Sequence, residues 1–179
     1  MTHLLSLDLA KNVGWARWRP GMELPSSGSV RIGREDPGEC FAAMRDWLFD
    51  TITANQIEHM VLESAFISMK TASSAPRLYG LAGIAREVAY RRRVRVTDAS
   101  PNEWRRFFLG QAMAPKSVAA KHRRAWLKNE TVTRCRNLGI DVKSDDEADA
   151  IGVLFFERAR LFPQYGVEGE LGLRIDPPF

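Results

Sequence analysis

Two short apolar runs in this chain each end in an acid, and that pairing restricts the fold more than any other feature. Residues 3–9, His-Leu-Leu-Ser-Leu-Asp-Leu, read as a largely apolar strand closing on Asp8. Residues 58–64 set Met60, Val61 and Leu62 before Glu63 in the same way. Runs this apolar belong in a core, and a carboxylate carried in with them costs free energy unless something pairs with it. Two readings stand for each acid taken singly: an edge-of-sheet carboxylate facing water, or a group held for chemistry.

The remaining sequence supplies elements that could carry these strands. Asn12 and Gly14 mark a tight turn, and Gly14–Arg19 alternates Trp15 and Arg17 with Ala16 and Trp18 as a second strand does. Pro20 and Pro25 bracket a loop before a third strand, Ser27–Ile32, so an antiparallel meander is expected. Residues 38–56 follow a helical period, with Phe41, Met44, Trp47, Leu48 and Ile52 on one stripe. A Ser/Thr/Ala-rich loop over 67–76 leads to a second helix with Leu78, Leu81, Ala82, Ala85 and Val88 on one face. Val94 and Val96, alternating with Arg93 and Arg95, give a fifth strand. Ser100-Pro101-Asn102-Glu103 has the form of a capping box and opens a short helix to the region of Phe108. Pro115 is expected to open a longer basic helix that ends near Gly139. Ser144-Asp145-Asp146-Glu147 is a second capping box, opening a strongly apolar helix to the region of Leu161, where Pro163 stops it.

The order β-β-β-α-β-α-β, followed by helices, predicts an α/β fold: a mixed five-stranded sheet, three antiparallel strands then parallel strands, with helices on both faces. At 179 residues the chain fits one domain, expected over 1–162 with an irregular tail over 163–179. No apolar run reaches membrane-spanning length, and the start lacks the basic and apolar pattern of a secretion signal. Cys40 and Cys135 lie far apart and outside any CxxC, which argues against a disulfide framework or a structural zinc. The expectation is a soluble, cytoplasmic protein.

Asp146 and Asp149, three apart, share one face of the last helix. Acids in a first turn are favoured by the helix dipole, which with capping accounts for Asp145 and Glu147. Asp149 is already in the second turn beside Ala150 and Ile151, where the dipole does not require it. Four carboxylates, Asp8, Glu63, Asp146 and Asp149, with few histidines near them, favour a hard divalent cation, Mg2+ or Mn2+, over zinc. Two such ions about 4 Å apart can activate a water and stabilise a leaving oxygen in phosphodiester cleavage.

The net charge of +4 hides an uneven distribution. Residues 84–136 carry 14 Lys or Arg against 4 Asp or Glu, while the remainder carries 12 against 18. Arginine, with its planar fork, dominates that stretch and suits phosphate. Tyr90, Trp104, Phe107, Phe108 and Trp126 are interleaved with it, a pattern that fits a nucleic-acid surface or, alternatively, a solvated helix face over core aromatics.

At these residues the chain resembles the RuvC family of Holliday-junction resolvases, in the ribonuclease H and retroviral-integrase superfamily. The matching pieces are Leu7-Asp8 through Gly14-Trp15-Ala16, Val61-Leu62-Glu63, Leu78-Tyr79-Gly80-Leu81-Ala82-Gly83 and Asp146-Glu147-Ala148-Asp149-Ala150, in the family's order over roughly residues 4–160. The resemblance implies a ribonuclease H-like fold and a homodimeric, Mg2+-dependent endonuclease that resolves four-way DNA junctions by paired nicks. Mn2+ could substitute, two ions would occupy each site, and any branch-migration partner is unspecified. The four metal-binding acids carry over to Asp8, Glu63, Asp146 and Asp149, with Asp145 a competitor for Asp146. Phe66 stands where a family aromatic meets bases at the junction centre, or is a core residue under its loop. Lys116 matches a family lysine that serves the scissile phosphate, or is a surface lysine. Lys70, Arg91, Arg92, Arg93, Arg105, Arg106, Lys121, Arg123 and Arg124 are candidates to grip DNA phosphates. Leu9-Ala10 replaces the family's usual Pro-Gly, and the loop from Glu63 to Gly80 looks slightly longer, the marks of a divergent relative such as a phage-encoded one.

Other readings stay open. A different nuclease of the same superfamily would cut flaps or RNA–DNA hybrids. A nucleotide-binding module of the actin and sugar-kinase type shares the look of the first strand and turn, but needs two such domains and a second glycine-rich loop. A DNA-binding module without catalysis has no reason to gather carboxylates near phosphates.

Overall fold

The computed structural model describes residues 2–33, 35–64 and 75–164. The elements run β1 (Leu4–Asp8), β2 (Asn12–Trp18), β3 (Ser26–Arg31), α1 (Pro37–Asn55), β4 (His59–Glu63), α2 (Ala75–Arg91), β5 (Arg95–Ala99), α3 (Pro101–Leu109), α4 (Arg123–Asn137) and α5 (Asp145–Leu161). The five strands form one sheet in the order β3-β2-β1-β4-β5. β1, β2 and β3 pair antiparallel, and β4 and β5 join β1 in parallel. This is the expected mixed sheet.

Strand alternation divides the core into two layers. Leu5, Leu7, Val13, Met60 and Leu62 face α1 and α2, packing with Met44, Leu48, Leu81 and Ala85. Leu4, Ala16, Trp18, Val61 and Ala99 face the other way, onto α5 and the helices α3 and α4 around it. Helices therefore cover both faces, and α5 is enclosed between the sheet and α3 and α4: every residue from Glu147 to Ala159 is buried. Burying apolar area on both faces supplies the main favourable term for a sheet of such short strands.

Small residues let α5 lie close to the sheet. Ser6 is fully buried and its hydroxyl reaches the Ala150 carbonyl oxygen at 2.7 Å. A Cβ on Gly14 would stand 1.9 Å from the Asp146 carbonyl oxygen, so only glycine fits there. On the far side of α5, a Cβ on Gly152 would meet the Trp104 ring at 2.6 Å.

Three local expectations change. The helix expected from Pro115 starts at Arg123, after a short 3-10 turn over Ala120–His122. Pro115 to Val118 closes only one turn, with Val118 N–H donating to the Pro115 carbonyl at 3.0 Å, and extended backbone at Ala119 breaks the run. Ser100 does sit at the N-cap of α3 with Pro101 after it, but its hydroxyl makes no capping bond. Among the interleaved aromatics, Trp104 and Phe108 are fully buried and Phe107 packs against Phe156, so these three serve the core, while Tyr90 is exposed. Most of the tail expected over 163–179 lies outside the described residues. Both cysteines are buried and free, and among the described residues no helix is long and apolar enough to cross a membrane.

Candidate active site

Register carries both strand-end acids to one place. Leu7 pairs with Leu62 across β1 and β4, so Asp8 and Glu63 are the next residues on neighbouring strands. Alternation turns both toward the α5 face, the side occupied by Ser6 and Val61. Asp8 lies opposite Gly14 on β2, and the missing Cβ at Gly14 is what admits the first turn of α5 at that point. Ser144 caps that turn by accepting from Glu147 N–H at 3.1 Å. The Glu147 carboxylate is buried and tied to Ser27 Oγ and Lys143 N–H at 2.8 and 2.9 Å, which fixes the helix end against the edge strand β3. Glu147 and the cap thus hold the helix in place while Asp146 and Asp149 reach the cluster.

The electrostatics match a crowded set of acids. Burial raises the Asp8 carboxyl well above its ordinary range, and the charges of Glu63, Asp149 and Asp146 add to the shift. Burial also pushes Asp149 up to about 7, with the Glu63 charge adding and Arg105 and Lys128 pulling the other way. Asp149 is 4% exposed, and its Oδ1 has no hydrogen-bond partner. A buried carboxylate oxygen without a donor is suited to coordinate a cation. Together with hard oxygen donors, it fits these residues to a divalent metal.

Two cations of the chain itself lie against the acids. Glu63 Oε1 accepts from Trp104 Nε1 at 3.0 Å and from Arg105 at 3.2 Å, and the same guanidinium nitrogen is 3.9 Å from Asp149 Oδ2. Lys128, from α4, bonds Asp145 and lies 3.4 Å from Asp146 Oδ1. Burial works against the Lys128 charge, but the hydrogen bond to Asp145 and the nearby acids outweigh it and raise its pKa. Asp145 is drawn below its ordinary range by Lys128 despite its partial burial. Among the described residues no three acids close into a finished metal cage.

Asp8, Glu63, Asp146 and Asp149 stand within electrostatic reach of one another at this end of the sheet. Arg105, expected on a DNA phosphate, turns instead to Glu63 and Asp149. Lys116 is exposed and forms no ion pair among the described residues, while Arg106, Lys121, Arg123 and Arg124 are exposed around α3 and the start of α4. Arg91, Arg92 and Arg93 lie at the other end of the sheet, because β5 runs parallel to β4 and starts beside His59 rather than Glu63. There Arg91 pairs with Glu87, and Arg92 bonds Thr53 and covers the Phe49 ring. Phe66 and Lys70 lie outside the described residues. Sequence reasoning did not single out Lys128; its signal, a lysine four residues after Arg124 on a basic helix, is indistinct until the fold sets α4 against α5.

No protein-family model matches the chain, and no curated protein does. Solved structures do. A Thermus thermophilus RuvC structure matches with a TM-score of 0.64 and 16% identity, over 89% of this chain and 96% of that one. The same organism's RuvC in complex with a Holliday junction substrate matches at 0.65 and 13%, over 90% and 97%. A yeast mitochondrial Holliday junction resolvase matches at 0.57 and 13%, over 85% and 77%. At these identities the likeness is one of fold, and it agrees with the sheet order, the strand directions and the two helical layers: the chain has the ribonuclease H-like fold of these resolvases.

Proposed function

We propose that this chain is a divalent-metal-dependent endonuclease that cuts branched DNA, with the four-way junction as its substrate. The observation that carries the reading is the meeting of Asp8, Glu63, Asp146 and Asp149 at one end of the sheet, around a buried Asp149 oxygen that nothing satisfies. The junction enters from the fold neighbours, one of which was solved with a Holliday junction substrate.

In this reading Asp8, Glu63, Asp146 and Asp149 hold the metal, with Mg2+ the expected ion, Mn2+ a substitute and two ions per site. The bound cations would supply water activation and neutralise charge on the phosphate. Asp146 is favoured over Asp145 because its side chain is 19% exposed against 44%, and because it stands within electrostatic reach of Asp8. Glu63 is positioned by the Trp104 indole, itself fully buried. Arg106, Lys121, Arg123 and Arg124, exposed beside this end of the fold, would grip backbone phosphates, giving affinity that falls with salt. Lys116, on the segment between α3 and α4, is assigned to the scissile phosphate, and Phe66 and Lys70 to the junction. Arg91, Arg92 and Arg93 would serve only a DNA arm that reaches the far end. Residues 1–162 form the nuclease domain, and a homodimer would provide the two sites that paired nicks need.

The test is cleavage by purified protein of a labelled four-way junction, a matched duplex, a flap and an RNA–DNA hybrid, in Mg2+ and in EDTA, beside Asp146→Asn. Metal-dependent cutting of the junction alone, lost in the variant, is the expected result. Cutting of the hybrid or flap moves the substrate to another branch of the superfamily. Binding without cutting by the unaltered protein would overturn the enzyme reading.

A further inference from the structure

The pairing of Arg105 gives the acid cluster a property beyond metal binding. Its guanidinium sits 3.2 Å from Glu63 Oε1 and 3.9 Å from Asp149 Oδ2, two acids contributed by different elements, β4 and α5. The side chain is 21% exposed, so the pair is partly withdrawn from water without being sealed from it. Its ring neighbour Trp104 holds it at 4.7 Å and donates to the same Glu63 oxygen. α3 therefore brings a fixed donor, Trp104, and a long, jointed cation, Arg105, to one carboxylate.

Resting on the nuclease reading above, we propose that Arg105 is the resident counter-charge of the metal site: a divalent cation enters by displacing its guanidinium, and the freed arginine then binds DNA phosphate. The chemistry is an exchange of cations on the same carboxylates. Glu63 keeps its indole bond throughout, so one ligand stays oriented while the charge beside it changes. A guanidinium tied to two acids has little to offer a phosphate; one released from them has a full fork of donors. Metal loading and grip on DNA thereby become one event, and the protein without metal binds DNA less tightly than its basic surface alone allows.

Two measurements on the full chain test this. In the first, Mn2+ binding is followed by calorimetry without DNA for the unaltered protein, Arg105→Gln, Arg105→Lys and the charge control Arg45→Gln, an exposed α1 residue paired with Glu87. Removal of a competing charge at this distance predicts that Arg105→Gln binds Mn2+ about tenfold tighter, with Arg105→Lys between and Arg45→Gln unchanged. An arginine that only props Glu63 in place gives the opposite sign, weaker binding in Arg105→Gln, and equal or weaker binding overturns the inference. In the second, junction affinity is compared in Ca2+ and in EDTA. The unaltered protein should gain affinity from Ca2+, and Arg105→Gln should lose most of that gain while matching it in EDTA. An undiminished gain in Arg105→Gln overturns the handover to phosphate. A protein that binds Mn2+ with the predicted order but ignores junctions defeats the substrate reading and the handover, and leaves the cation exchange standing. A protein that binds no Mn2+ at all defeats both proposals.

Discussion

At the scale of single residues, Asp149 sits in surroundings that oppose its charge: buried in the second turn of α5, crowded by Glu63, with one oxygen unsatisfied. Asp149→Asn should abolish cleavage in Mg2+ while leaving junction binding in EDTA within about threefold, because phosphate contacts set affinity there; normal turnover by the variant would dismantle the metal assignment. In EDTA at pH 8 the same change should raise the melting temperature, since it removes a buried charge that the fold opposes. Asp8, Glu63 and Asp149 stood out because apolar neighbours or a second-turn position gave a surface carboxylate little reason to be there, whereas Asp146, in the first turn, was singled out only by its spacing from Asp149. Trp104 and Arg105 were not. Their composition resembled a DNA surface, and only tertiary packing reveals that the indole lies in the core and the guanidinium turns inward.

At the scale of elements, the site depends on how closely α5 can approach β2. Gly14→Ala places a methyl against the Asp146 carbonyl, where the contact would be 1.9 Å. The helix end must move, at a cost of about 1–3 kcal/mol, readable as a lower urea midpoint. Cleavage should fall by at least tenfold beyond what the lost stability explains, because the shift carries Asp146 and Asp149 off the strand acids; full activity in a stable Gly14→Ala protein would show that the acid spacing is not critical. The glycine was visible in the sequence as a turn signal, but its use against a helix more than a hundred residues later was not. Strand periods and the α5 cap were read correctly, since they rest on local patterning. The start of α4 was not, because proline at a first helical position marks a start only where the following backbone continues it, and Ala119 does not.

At the scale of the whole molecule, two buried acid sites act on stability with opposite signs. Asp149, raised from 3.8 to about 7, makes the metal-free fold lose stability as pH rises between those values. At the other end of α5, Glu157 is buried against His59, Thr97 and Arg160. Burial works against its charge, but these partners hold its carboxyl below the ordinary 4.5, so its contribution is present above that value and is lost as pH falls below it. Melting in EDTA should therefore fall as pH rises from about 5 to 7, with the raised Asp8 carboxyl acting in the same direction as Asp149 and Mg2+ adding more at pH 8 than at pH 5; a profile flat over that range would contradict the Asp149 assignment. Light scattering at micromolar concentration should find a dimer, and a monomer would count against paired nicking. The enclosure of α5 has a further consequence during synthesis. The strands that carry Asp8 and Glu63 leave the ribosome early, but the helix that covers their inner face and completes the cluster is the last described element of the chain. A nascent chain lacking residues 145–161 has one sheet face uncovered and only two of the four acids, so it can neither fold fully nor assemble the proposed site. On the proposed nuclease reading, competence to cut would arrive only with the closing of the core.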